Sequence, residues 1–227
     1  MQHRRNTDVI VETIRLQGKR VIDVGCGDGH LTRHMARFGA HVLGVECSPR
    51  QLAKARAAER VADEEIVEGV GQALPAADGA ADLVVFFNSL HHIPVALMGQ
   101  ALAEAARVLV PDGQVYVSEP LPEGAFFEAV RPVSDETEVR EAALAALAGA
   151  PGFAAEAEIR YVHTVRLAGY EAFRDRIVSA NAEREALFAR LDAEMRARFA
   201  RLAEPDSDGF RFLQPMRVNL LRKAGTT

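Results

Sequence analysis

Val21-Ile22-Asp23-Val24-Gly25-Cys26-Gly27-Asp28-Gly29 decides how the rest of the chain is read. A short apolar run leads into three glycines at alternate positions, and Leu31, Met35 and Phe38 follow at helical spacing. The local structure is therefore strand, sharp turn, helix. Glycine lets the backbone turn tightly and lets a ligand reach the main chain without meeting a Cβ. The first amides of the helix then face an electronegative group.

This is the layout of a nucleotide-type site at the carboxyl end of a parallel strand. A dinucleotide fingerprint needs its third glycine three residues after the second, for close helix–strand packing. His30 holds that position, and the third glycine comes early, at Gly29. Asp23 is the second departure. A buried parallel strand is apolar throughout, so an acid inside it calls for a polar partner near the turn. An acidic first strand followed by Gly-x-Gly-x-Gly resembles the first motif of the class I S-adenosylmethionine (SAM)-dependent methyltransferases.

A second strand over His41–Val45 ends at Glu46, 21 positions after Gly25. An acid at that distance past the glycine turn is placed to accept hydrogen bonds from both hydroxyls of a ribose. By resemblance, Gly44-Val45-Glu46-Cys47-Ser48 is the second methyltransferase motif, with Cys47 bordering the adenine. Pro49 suits the first turn of a helix running to about Val61. A third strand, Glu65–Val70, follows. Val70 stands where many relatives carry an adenine-binding aspartate, which leaves that contact to the backbone of Gly71 and Gln72 or to the Gln72 amide. A fourth strand, Asp82–Phe87, is apolar after its first residue and hence central. Asn88-Ser89-Leu90-His91-His92-Ile93-Pro94 follows its carboxyl end, where open α/β sheets bind ligands. Helix Val95–Leu109, the turn Pro111-Asp112-Gly113 and a fifth strand, Gln114–Ser118, lead to Glu119-Pro120. Leu83 through Glu119 resembles the type 11 branch of the family.

The resemblance implies an α/β, Rossmann-like seven-stranded sandwich in the order 3-2-1-4-5-7-6, with strand seven antiparallel. It implies SAM as cofactor, held by Asp23, Gly25, Cys26, Gly27, Gly29, Glu46, Cys47, Gly71, Gln72 and Asn88. The chain reads as a single domain over residues 1–227, with its core at about 18–120 and 151–222. Helical cap insertions fall at about 122–150 and 170–204. Strand six is expected at Glu158–Leu167, a long helix or helix pair at Tyr170–Leu202, and strand seven at Phe210–Leu221. At the amino end, Thr7 to Leu16 reads as an amphipathic helix with Thr7 as its cap.

Methyl transfer asks mainly for alignment and exclusion of water, so the lack of a nucleophilic triad does not argue against an enzyme. His91 and His92 are the candidate catalytic groups, one of them accepting a proton from the attacking atom. On an extended segment the two cannot point the same way. Glu119, Arg131, Asp135, Arg140 and Arg211 are candidate substrate contacts. For Arg131, Asp135 and Arg140, helix capping and a solvated charged face explain the pattern equally well. Cys26 reads as a small packing residue rather than a nucleophile. His30 and His34 share a helix face, but no third ligand matches them, and no metal is expected.

The 227 residues suit one domain with an elaborated cap. A net charge of -5 without a basic block argues against nucleic acid as partner. Two cysteines make no disulfide framework, and a reducing cytoplasm is expected. The amino terminus lacks the apolar core of a signal peptide, and no apolar run approaches a membrane span. The expected partner is a small molecule, and the expected state is monomer or homodimer.

Overall fold

Apolar runs bounded by glycine or proline become elements largely where the pattern places them. The computed structural model describes residues 1–180 and 183–225. β1 (Gln2–His3) and α1 (Asn6–Thr13) lead to β2 (Arg20–Val24), the glycine turn and α2 (His30–Arg37). β3 (His41–Glu46), α3 (Pro49–Ala57), β4 (Glu64–Glu68) and β5 (Ala81–Phe87) follow. A single 3-10 turn at Leu90–His92 precedes α4 (Val95–Val108) and β6 (Leu109–Pro120). The remainder comprises α5 (Ala125–Val130), α6 (Thr137–Ala148), β7 (Phe153–Leu167), α7 (Tyr170–Ala180), α8 (Arg184–Leu202), β8 (Glu204–Asp206) and β9 (Gly209–Lys223).

The chain divides into two compact units. The larger takes Asn6–Glu119, Glu141–Ile159 and the chain from Arg217 on. Its strands run β4-β3-β2-β5-β6-β9-β7, the expected 3-2-1-4-5-7-6 order with an antiparallel strand. β2 lies between β3 and β5 and is parallel to both, which sets Asp23 opposite Gly44 on one side and Val85 on the other. Leu83, Val84, Val85 and Phe86 of β5 are wholly buried, as befits a strand covered on both faces. Val84 and Phe86 pack with Met98, Leu102, Ala105 and Val108 of α4 and with Ala143 and Leu147 of α6. α2 carries Leu31, Thr32, Met35 and Ala36 on its buried face.

The smaller unit takes Met1–Arg5, Pro120–Arg140 and Arg160–Met216. Its centre is aromatic. The Phe173 ring lies 5.5–6.2 Å from those of Phe126, Tyr170, Phe188, Phe199 and Phe212, a spacing at which offset and edge-on pairs are favourable. β1 adds to the edge of β7 in parallel, Gln2 opposite Tyr161 and His3 opposite Val162. β8 and β9 form an antiparallel hairpin.

Several boundaries move. The first helix starts at Asn6 and stops at Thr13, whose hydroxyl donates to the Val9 carbonyl at 2.6 Å. The helix after Pro49 ends at Ala57. The third strand begins at Glu64 and ends at Glu68, beyond which Val70 and Ala73 close a turn. The fifth strand starts at Leu109 and carries Asp112 through a left-handed conformation, φ 63°. Aspartate tolerates that region better than most residues. The sixth begins at Phe153, and the long helical stretch is the pair α7 and α8, with Asn181 and Ala182 outside the described residues. β1 and β8 had no sequence signal. No helix among the described residues is long and apolar enough to cross a membrane.

Candidate functional site

The glycine turn is fastened from behind by the end of β3. The Gly25 and Cys26 amides both donate to the Val45 carbonyl, at 2.8 and 3.2 Å. Glu46, 7% exposed, accepts the Gly27 amide on Oε2 at 2.8 Å and the Cys47 and Ser48 amides on Oε1 at 2.9 and 2.7 Å. The Gly29 amide goes to the Cys26 carbonyl and the His30 amide to Asp28 Oδ1. The loop amides thus hold the loop, and of the first helix amides that of His30 is taken up by Asp28. A cofactor without phosphates makes no demand for an amide-lined anion cradle. Each carboxylate oxygen has two acceptor directions, and Oε2 of Glu46 uses one for Gly27.

Asp23 is 1% exposed, and its required partner is Thr32 of α2, whose hydroxyl donates to Oδ2 at 2.7 Å. Burial raises the Asp23 pKa to about 7; the Thr32 bond opposes this and the nearby Glu46 charge adds to it. Gly44 makes room for the arrangement, since a Cβ there would lie 2.9 Å from Cys26 Sγ and 3.2 Å from Thr32 Oγ1. Cys26 is buried, and burial beside Asp23 and Glu46 pushes its thiol far above the ordinary range. It packs, as the sequence suggests, and is no nucleophile. Cys47 is exposed.

Gly25 and Gly27 both have left-handed backbones, φ 71° and 59°, for different reasons. A Cβ on Gly25 would lie 2.6 Å from Ser89 Cβ, whereas one on Gly27 would meet nothing within 4 Å. The space beside Gly27 is open for a ligand. Ser89 was not anticipated. It is buried after β5 and donates to the Val24 carbonyl at 2.5 Å, tying the ends of β2 and β5 together. Its neighbour Asn88 takes φ 53° and donates its amide to the Ser118 carbonyl at 2.8 Å. The Asn88 Oδ1 atom is buried without a hydrogen-bond partner, an arrangement that a ligand donor would complete. Gly71 also belongs here, since a Cβ on it would be 3.1 Å from Val24 and 2.9 Å from Ile93. The Gln72 carbonyl accepts from Gln100 Nε2 at 2.9 Å. Val70 is 37% exposed.

The two histidines differ from expectation. They lie on a 3-10 turn rather than an extended segment, and their ring centroids are 4.1 Å apart. On such a turn adjacent side chains diverge by about 120° instead of pointing to opposite faces as on a strand. His91 is buried and His92 exposed. Glu119, 3% exposed, accepts the Leu90 and His91 amides on Oε1 at 3.1 and 3.3 Å, and its Oε2 meets Nδ1 of His91. Both oxygens of Glu119 are thus engaged by the turn that carries His91. With the carboxylate ionised, Nδ1 carries the ring proton and Nε2 the lone pair.

The other candidates lie in the smaller unit. Arg131 and Asp135 form an exposed pair at 3.0 Å. Asp135 caps α6, accepting the Thr137 amide at 3.1 Å and hydroxyl at 2.6 Å, and these bonds with Arg131 hold its pKa down at about 2. Arg211 pairs with Glu204 across the β8–β9 hairpin at 3.0 Å, also exposed. All three are exposed and paired with neighbouring side chains. Arg140 differs: its side chain is only 10% exposed, and it pairs with Glu136 at 2.6 Å.

Residues 22–117 match the family described as "Methyltransferase domain". A ubiquinone biosynthesis O-methyltransferase of Dechloromonas aromatica is 36% identical over 117 residues, 49% of this chain and 48% of that protein. The match therefore spans about half the length of such relatives. A candidate methyltransferase of Bacillus halodurans C-125 superposes with a TM-score of 0.65 at 20% identity, covering 96% of this chain and 99% of its own. The 4+2 cyclase SpnF superposes with a TM-score of 0.64 at 21% identity, covering 97% and 81%. At these identities the structural likeness concerns the fold alone. The sequence match to the methyltransferase-domain family thus covers residues 22–117, and along the rest of its length the chain shares with solved methyltransferase structures their fold.

Proposed function

We propose that this protein transfers a methyl group from SAM to a hydroxyl oxygen of a small-molecule acceptor, with His91 taking the hydroxyl proton. The observation that carries the reading is the His91–Glu119 pair, buried at the carboxyl ends of β5 and β6 on the same sheet edge as the glycine turn. Bound SAM supplies a methyl group already activated by its sulfonium.

The chain's own residues supply the rest. Asp23, Gly25, Gly27, Glu46, Gly71 and Asn88 line the cofactor side: Glu46 has acceptor capacity for ribose hydroxyls, and Asn88 Oδ1 can accept one donor. Glu119 fixes the His91 tautomer so that the Nε2 lone pair is the proton acceptor. A hydroxyl is a poor nucleophile until deprotonated, so a positioned base is worth about 100- to 10,000-fold. Thioether or carbanion acceptors would gain less from it. The O-methyltransferase named above supports the same choice of atom over the half of the chain it matches.

The test uses isotopically labelled SAM with a panel of phenols and alcohols, read by mass spectrometry for methylated product beside S-adenosylhomocysteine. His91→Asn should lower kcat by about 100-fold or more while S-adenosylhomocysteine binds as before. Undiminished turnover by that variant would overturn His91 as the base.

A further inference from the structure

We infer that the Arg140–Arg184–Glu136 cluster of the smaller unit is a receptor for one carboxylate group. Glu136 receives Arg140 on Oε2 at 2.6 Å and Arg184 on Oε1 at 2.9 Å. The side chains of Arg140, Arg184 and Glu136 are 10%, 16% and 18% exposed. Two guanidiniums therefore share this carboxylate in a largely desolvated place, and one positive charge stays unmatched within the cluster. Burying a charge without a counter-ion is costly.

Hydrogen bonding adds an independent observation. Arg140 gives its two terminal nitrogens to the Leu121 carbonyl, at 3.4 Å, and to Glu136. Its Nε is buried with no partner. The Phe127 ring lies 5.6 Å from the guanidinium carbon, so one face of the group is covered by an aromatic platform. What the cluster lacks is one negative charge and a planar acceptor. A carboxylate has both, and its geometry matches the guanidinium fork. A phosphate dianion would overshoot the balance by one charge.

Direct binding tests this on the full chain, without turnover. Benzoate is titrated calorimetrically into the wild type, Arg184→Gln and Arg184→Lys, and each protein is titrated separately with S-adenosylhomocysteine. One benzoate per chain is expected, weakened at least tenfold in Arg184→Gln and less in Arg184→Lys, with methyl benzoate failing to bind. S-adenosylhomocysteine affinity should stay the same in all three and acts as the check on folding. Equal binding of acid and ester, no benzoate binding, or an unchanged affinity in Arg184→Gln overturns the inference. Loss of S-adenosylhomocysteine binding by the wild type, with benzoate binding intact, overturns the methyltransferase reading instead.

Discussion

Glu46, at the end of β3, accepts the amide of Gly27 in the turn after β2 at 2.8 Å. One carboxylate therefore shapes the loop and, in the proposed reading, also meets the ribose. A ribose-binding acid at a strand end need not be preorganised by its own ligand. Here three backbone amides fix it beforehand.

That double duty makes Glu46→Gln informative. A glutamine can offer its oxygen to the Cys47 and Ser48 amides, but its NH2 group then meets the Gly27 N–H, donor against donor. The expected result is a loss of about 1.5–3 kcal/mol in S-adenosylhomocysteine affinity by calorimetry, the range for hydrogen bonds to a charged acceptor. Affinity equal to the wild type would remove Glu46 from the cofactor site.

Gly25→Ala and Gly27→Ala should part company. At Gly25 the new methyl collides with Ser89 at 2.6 Å. Overpacking of about 1–3 kcal/mol adds there to about 1–2 kcal/mol for a left-handed non-glycine residue. At Gly27 only the backbone term applies, since nothing lies within 4 Å. Chemical denaturation should show Gly25→Ala clearly the less stable. Gly27→Ala should fold and yet bind S-adenosylhomocysteine poorly, because its methyl fills the ligand's space. Normal binding by Gly27→Ala would refute the open-space reading.

Asp23 makes stability depend on pH with a definite sign. Its folded pKa of about 7 exceeds that of an unfolded aspartate. Between the two values the folded state holds more protons than the unfolded one, so stability falls as pH rises from about 4 to about 7 and then levels off. Asp23→Asn keeps an acceptor for Thr32 and removes the charge. The variant should show a flatter profile from pH 5 to 8 and exceed the wild type in stability at pH 8. Parallel denaturation profiles for the two proteins would show that Asp23 is not the titrating group.

The strand order followed from the family resemblance alone, whereas the glycine turn and the acid at Glu46 were legible because each is a local pattern, a glycine spacing and an acid at a strand end. The partners were not. Thr32 comes nine residues after Asp23 and Glu119 comes 28 after His91, and no periodicity links such pairs. The register that aligns β5 and β6 brings His91 and Glu119 to one edge, and the return of α2 sets Thr32 against Asp23. A hydroxyl one turn into the helix could have been proposed for Asp23. The 3-10 turn at Leu90–His92 had no sequence mark, because it is held by the amide bonds to Glu119. Arg131, Asp135 and Arg140 read alike as charged residues of one segment. Burial separates them: an exposed pair at Arg131 and Asp135, a nearly covered guanidinium at Arg140.

Glu119→Gln gives the most specific test of how the base is set. In the wild type Oε1 serves the Leu90 and His91 amides, and Oε2 faces Nδ1 of His91. A glutamine must keep its oxygen toward the two amides, so its NH2 group points at Nδ1. That nitrogen can then only accept, and the ring proton moves to Nε2, where proton abstraction is needed. The change keeps shape and burial and reverses the tautomer. We expect kcat to fall by about 100- to 10,000-fold, the usual span for losing a general base. S-adenosylhomocysteine affinity and the thermal midpoint should shift little. Glu119→Asp, which keeps the charge on a shorter arm, should recover part of the rate. A merely structural Glu119 would give the opposite order, with Glu119→Gln the milder change because it preserves length and packing. Rates in that order would remove Glu119 as the group that sets the His91 tautomer.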